Sequence, residues 1–163
     1  MGAPTSEFNH IIDALLYNLS TIKTVNGYAT NVVFTEETAE PIRPEDVPSG
    51  ACIFVTEAPE SYEYLTAEYV DSVISYTALG WITIDPPGTP DTLKEALRSF
   101  VADFWRCFRS DLYLLAADSA TGGSGQRLVK EHRIVEMDRQ YSFPDAAFIA
   151  SCRCKYQFNM SDT

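Results

Sequence analysis

The stretch AAFIASCRCKYQF, residues 146–158, alternates without a break. Phe148, Ala150, Cys152, Cys154, Tyr156 and Phe158 fall on one parity. Ile149, Ser151, Arg153, Lys155 and Gln157 fall on the other. Period two is the geometry of a strand, whose successive side chains point to opposite faces. An apolar parity opposite a largely polar one marks a sheet covered on one side and wet on the other. Working backwards, RLVKEHRIVEMDRQ (127–140) reads as a second strand, and SFPDA (142–146) as the turn between them. These two runs therefore pair as an antiparallel hairpin.

Something must cover the apolar face, and two segments have helical spacing. Phe8, Ile11, Ile12, Leu15, Leu16, Leu19 and Ile22 recur at i, i+3 and i+4. Asn26-Gly27 reads as the stop, because glycine takes a positive φ without steric cost. The second helix opens on Thr89 as cap, Pro90 at the first helical position and Asp91 at the positive end of the dipole. Leu93, Ala96, Leu97, Phe100, Val101, Phe104, Trp105 and Phe108 then form a broad apolar stripe. The spacing predicts that Phe100, Phe104 and Trp105 are buried against Cys152, Cys154 and Tyr156.

The middle of the chain supplies more strands. NVVF (31–34) follows the first helix, with Tyr28 expected to anchor the turn against the sheet. ACIFVT (51–56) is a short buried strand. The run 61–84, rich in Tyr, Val, Ile and Thr, is two strands or one long strand broken near 67–71. Residues 35–50 hold three prolines and read as an exposed connection, and DPPG (85–88) as a turn. AADSATGGSGQ (116–126) is small and glycine-rich, and the loop 117–126, with Gly122, Gly123 and Gly125, is expected to be mobile. The order of elements gives an α+β fold: two helices packed on one face of a mostly antiparallel sheet, a two-layer sandwich. The 163 residues suit a single domain, 1–163.

Net charge is −11 and unevenly placed. Residues 36–71 hold ten acids, among them Glu57, Glu60, Glu63 and Glu68, against one base, Arg43. Arg127, Lys130, Arg133, Arg139, Arg153 and Lys155 gather in the final hairpin. This balance disfavours gripping nucleic acid, which needs clustered Lys and Arg. The four cysteines, Cys52, Cys107, Cys152 and Cys154, show no C-x-x-C spacing and read as small buried hydrophobes in a reducing compartment. No apolar run reaches the roughly 18 residues of a membrane span, and no basic-then-apolar leader opens the chain. Chemistry is equally sparse. His10 and His132 are too far apart for metal-ligand spacing, and His132 and Glu131 point to opposite strand faces. No G-x-S-x-G turn places a serine, and no Gly-Lys-Ser/Thr follows the glycines to make a phosphate loop. The residues point to no catalytic group, cofactor or metal.

Taken in order, NGYAT (26–30) entering a strand, ACIFV (51–55) after a proline-rich acidic loop, the long Tyr- and Val-bearing β-run, DTLKEALRSFVADFW (91–105), RIVEMDRQY (133–141), FPDA (143–146) and CKYQF (154–158) resemble the tail terminator, or tail completion, proteins of long-tailed bacteriophages and their minor-tail relatives. The resemblance spans roughly residues 8–158 and rests on the order of elements. It implies a virion structural protein, not an enzyme. Such a protein forms a hexameric ring that caps the tail tube and joins it to the head. The implied partners are further copies of the chain, the tail-tube protein and head–tail connector proteins, with DNA only as cargo through the channel. The implied location is the virion neck, and the host cytoplasm during assembly. A head–tail connector or other neck ring, and a small-molecule-binding domain or enzyme, are the competing readings. On the ring reading, part of the acidic segment is expected to face the basic hairpin of the adjacent subunit.

Overall fold

The computed structural model describes residues 4–39, 47, 49–58, 61–66, 68–84 and 88–159. Its elements are α1 (Pro4–Ser20), β1 (Val32–Glu37), β2 (Gly50–Glu57), β3 (Ser61–Tyr64), β4 (Tyr69–Thr83), α2 (Pro90–Ser110), α3 (Leu115–Ala120), β5 (Glu131–Ser142) and β6 (Asp145–Asn159). Half of the proline-rich connection 35–50 and most of the DPPG turn lie outside the described residues. The six strands form one sheet in the order β1-β2-β4-β6-β5, with β3 on the free part of β4. Only β1 and β2 run parallel; the remaining pairs are antiparallel. The fold is therefore the expected α+β arrangement.

β4 and β6 are the spine. They pair over their full length, Tyr69 opposite Asn159 and Thr83 opposite Asp145. On their common face lie Val70, Ile74, Tyr76, Ala78, Phe148, Ala150, Cys152, Cys154 and Tyr156, all buried under the helices. The break expected in the 61–84 run separates β3 from β4. Close packing at the centre depends on Gly80, which stands opposite Phe148. A Cβ at Gly80 would come within 2.0 Å of that ring. The space it leaves lets Phe148 meet Phe100 and Phe104 at ring-centroid distances of 4.9 and 5.0 Å, the separation aromatic pairs favour.

α2 begins as its sequence dictates. The Thr89 hydroxyl accepts from the Thr92 amide while the Thr92 side chain accepts from the Thr89 amide, a reciprocal capping box. Its buried stripe is Leu93, Leu97, Phe100, Val101, Phe104, Cys107 and Phe108. Trp105 is not part of it: that side chain is 37% exposed, with Arg109 over its ring at 5.7 Å. The stripe is centred on the line of 97, 100, 104 and 108, and a helix turns by about 100° per residue. Position 105 therefore falls on the flank. Cys107 takes the inner place, its thiol donating to the Asn18 carbonyl of α1 at 3.1 Å.

Gly27 does have a positive φ, +85°. It closes a separate single turn, Thr24–Asn26, because α1 has already ended at Ser20. Tyr28 also differs from expectation. It is held by α2 rather than by the sheet: the Arg106 guanidinium lies 4.2 Å over its ring and donates to the Gly27 carbonyl at 2.6 Å. Buried Asp103 accepts from the Thr30 amide at 2.7 Å, so α2 fastens the turn at two points. Two further segments depart from the expected pattern. Residues 115–120 are a short helix, not loop. Residues 127–130 do not join the hairpin ladder as a regular strand. The Leu128 amide donates to the Tyr113 carbonyl, just past α2, and the chain reaches β6 at Lys130, whose amide donates to the Lys155 carbonyl.

Candidate interaction surface

The second parity of the strands forms the face without helices. Cross-strand rows change character along it. Cys52, Trp81 and Ala147 make one row and Phe54, Leu79 and Ile149 the next. Thr56, Thr77 and Ser151 follow. Then come Ser75, Arg153 and Arg133, and after them Val73, Lys155 and Glu131. The face thus runs from apolar through hydroxyl to charged.

The hairpin cations divide into two groups. Lys130, Lys155 and Arg127 find partners within the chain. The Lys130 ammonium donates to both oxygens of buried Asp71 at 2.9 Å. Lys155 reaches Glu63 at 2.9 Å and Glu131 at 3.4 Å. The hydrogen bond from Lys155, then its charge, holds the Glu63 carboxyl below its usual range. The same hydrogen bond raises Lys155. Arg127 lies 3.7 Å over the Tyr113 ring. Lys130 and Lys155 are thus charge-matched inside one subunit, by Asp71 of β4 and by Glu63 of β3, while Arg127 meets a ring and no acid among the described residues. Arg133 and Arg139 make no ion pair among the described residues, and Arg153 reaches Glu63 only at 3.9 Å. On the acidic side Glu57 and Glu68 are exposed, and Glu60 lies outside the described residues.

The glycine-rich loop is organised by one carboxylate that the sequence did not single out. Asp118 is 3% exposed. One oxygen accepts from the Gly125 and Gln126 amides at 2.9 and 2.8 Å, and the other meets His10 of α1. Its backbone carbonyl accepts from Gly123 at 2.8 Å. Burial pushes this carboxyl up, but the bonds from His10 and the two amides outweigh it and the net shift is downward. The loop expected to be mobile around Gly122, Gly123 and Gly125 thus has a fixed anchor at Asp118.

The other histidine is a core residue. His132 is buried, its ring tilted against Phe108 at 4.2 Å between centroids. Nδ1–H donates to the Leu112 carbonyl at 3.1 Å and Nε2 accepts from the Tyr76 hydroxyl. Burial lowers its pKa to about 4, with the Leu112 carbonyl pulling the other way. Both ring nitrogens are occupied, which suits packing and leaves no base free for catalysis. The four cysteines are free and buried. Among the described residues no group of three or more His, Cys, Asp or Glu is placed to hold a metal ion. None of their helices is long and apolar enough to cross a membrane. Asp71, Asp103 and Asp118 are the polar residues that matter most here, and their one sequence signal is an aspartate set among apolar neighbours. No protein-family model matches the chain, and no curated protein matches it.

Proposed function

We propose that the chain is a tail terminator: a virion structural protein whose copies close into a ring, hexameric in the family it resembles, that caps a phage tail tube and joins it to the head. The observation that carries this reading is the order of elements, from NGYAT through DTLKEALRSFVADFW to CKYQF, laid out as helices on one face of a mixed sheet. The charged, helix-free face supports it, because Arg133 makes no ion pair among the described residues there. The partners on this reading are further copies, the tail-tube protein and connector proteins, with DNA as passing cargo. A strongly acidic subunit fits that cargo role, since DNA slides freely past a wall that does not grip its phosphates.

Light scattering on the purified chain reads its mass, and electron microscopy of labelled particles places it in the virion. A closed ring at the top of the tail tube is the expected result. A ring located elsewhere in the neck favours a connector role instead. A chain that is monomeric at all concentrations and absent from particles overturns the proposal.

A further inference from the structure

Like charges held together repel, and the chain gathers them at both edges of its sheet. At the β5 edge, Arg133 and Arg153 stand directly opposite one another in register, so their side chains leave the same face. With Ser75, Thr77, Ser151 and Val135 they line a groove of about 360 Å³. The small hydroxyl residues make its floor, which leaves room for a side chain to enter from outside. Arg133 has no ion-pair partner among the described residues, and Arg153 shares Glu63 at 3.9 Å with Lys155, which holds it at 2.9 Å. Glu136 stands opposite Ser151 on the same strand pair but pairs with neither arginine. At the β1 edge the situation is the reverse. Glu37 ends β1 and Glu57 ends the adjacent β2, and the charge of Asp13 of α1 acts on Glu37. Partial burial, then the charges of Glu57 and Asp13, push the Glu37 carboxyl up. None of the three has a cation beside it among the described residues.

We propose that these two places are the halves of one contact between copies of this chain: Glu37 and Glu57 of one copy enter the groove and are held by Arg133 and Arg153 of the next. The contact rests on the ring reading above and names its residues. Guanidinium groups match carboxylates through paired hydrogen bonds, and each half relieves the repulsion in the other. The halves lie at opposite edges of the sheet order β1-β2-β4-β6-β5. Each contact therefore uses one half from each copy and leaves one of each free. That is head-to-tail geometry, which closes into a ring when the rotation permits.

Two charge-reversed proteins test it: Arg133→Glu with Arg153→Glu, and Glu37→Lys with Glu57→Lys. Alone, each is expected to self-associate at least about tenfold more weakly than the wild type in sedimentation velocity, with unchanged circular dichroism. Mixed in equal amounts they should assemble again. The reversed groove of one then meets the reversed cluster of the other, and the untouched halves still match. The mixed assemblies should hold equal numbers of each protein. Should a reversal unfold the chain, the glutamine versions of the same four positions are expected to show the same weakening. Either variant assembling alone like the wild type, or folded reversal variants that stay apart when mixed, overturns the contact. A wild-type chain that never self-associates overturns the ring reading itself, so the two failures are read apart.

Discussion

In the slab made by α2, β4 and β6, Phe100 and Phe104 close on Phe148 over the gap left by Gly80, and every one of these side chains is essentially inaccessible to water. The corner formed by residues 111–130 is held differently. There Asp111 accepts from the Leu115, Ala116 and Ala117 amides to start α3. Leu114 is kept at φ +57°, a conformation that disfavours any residue with a Cβ. Asp118 then gathers the glycine-rich loop. Each region is also met by one histidine from outside it. His132 of β5 packs against Phe108 and Tyr76 of the slab and is kept neutral by burial, while His10 of α1 meets the Asp118 carboxylate at the corner. Apolar area fixes the slab and directed polar bonds fix the corner, so the two should fail in different ways.

The largest effect belongs to the slab. Phe148→Ala removes a ring from the tightest part of the core and should cost about 3–5 kcal/mol in denaturant unfolding. The loss should be cooperative, with one transition and an earlier midpoint. A midpoint near that of the parent would mean that the centre of the sheet is not packed around this ring.

Acid should act on the slab next. His132 has a folded pKa of about 4 against about 6.5 when unfolded. The unfolded chain therefore binds the proton more readily, and stability is full above pH 6.5 and falls as the pH drops towards 4. The loss from this group is about 3 kcal/mol between pH 7 and pH 4. Unfolding at a series of pH values reads it, and His132→Gln should flatten the slope across that window. An unchanged slope in the variant would assign the acid sensitivity to other groups.

The same contrast explains what could be read in the residues. The slab announces itself because burial on one face imposes a period, two along 146–158 and 3.6 along 93–108. Fold class, the pairing of the final hairpin and most of the core followed from those periods. Trp105 was misplaced because an aromatic on the flank of a stripe counts as part of it until the stripe's centre is known. Residues 127–130 looked like strand because Leu128 and Val129 suit one, but the Leu128 amide bonds the Tyr113 carbonyl and the chain meets β6 only at Lys130. The corner has no period. Its order comes from Asp111 and Asp118, whose partners are backbone amides that any sequence possesses. The intrachain pairs Lys130–Asp71 and Lys155–Glu63 were hidden for a related reason. The Lys155–Glu63 pair depends on β3 folding back along β4, and the Lys130–Asp71 pair on β4 lying beside β6. Charge counts along the chain could show an acidic segment and a basic hairpin, but not that part of the match is made inside one subunit.

The smallest effect expected on global stability lies at the corner, and it separates the two modes of support most sharply. Asp118→Ala removes an acceptor shared by the Gly125 and Gln126 amides and by His10. Bonds to a charged group contribute about 1.5–3 kcal/mol. The freed loop, however, can return its amides to water, so the net cost should be about 2 kcal/mol. Asp118→Asn should rescue it only in part. An amide that turns its oxygen to the two backbone donors loses the charge and offers His10 an N–H group, which the ring accepts only with its proton moved to the other nitrogen, and the opposite flip sets donors against donors. The signature should be local. Amide exchange at Gly123, Gly125 and Gln126 should rise by well over tenfold, while amides in β4 and β6 slow or quicken only with global stability. Exchange in the loop that matches the parent would show that Asp118 does not hold it. Exchange that rises equally in β4 would show that the corner and the slab open as one unit, and the distinction between apolar and polar support would then fail.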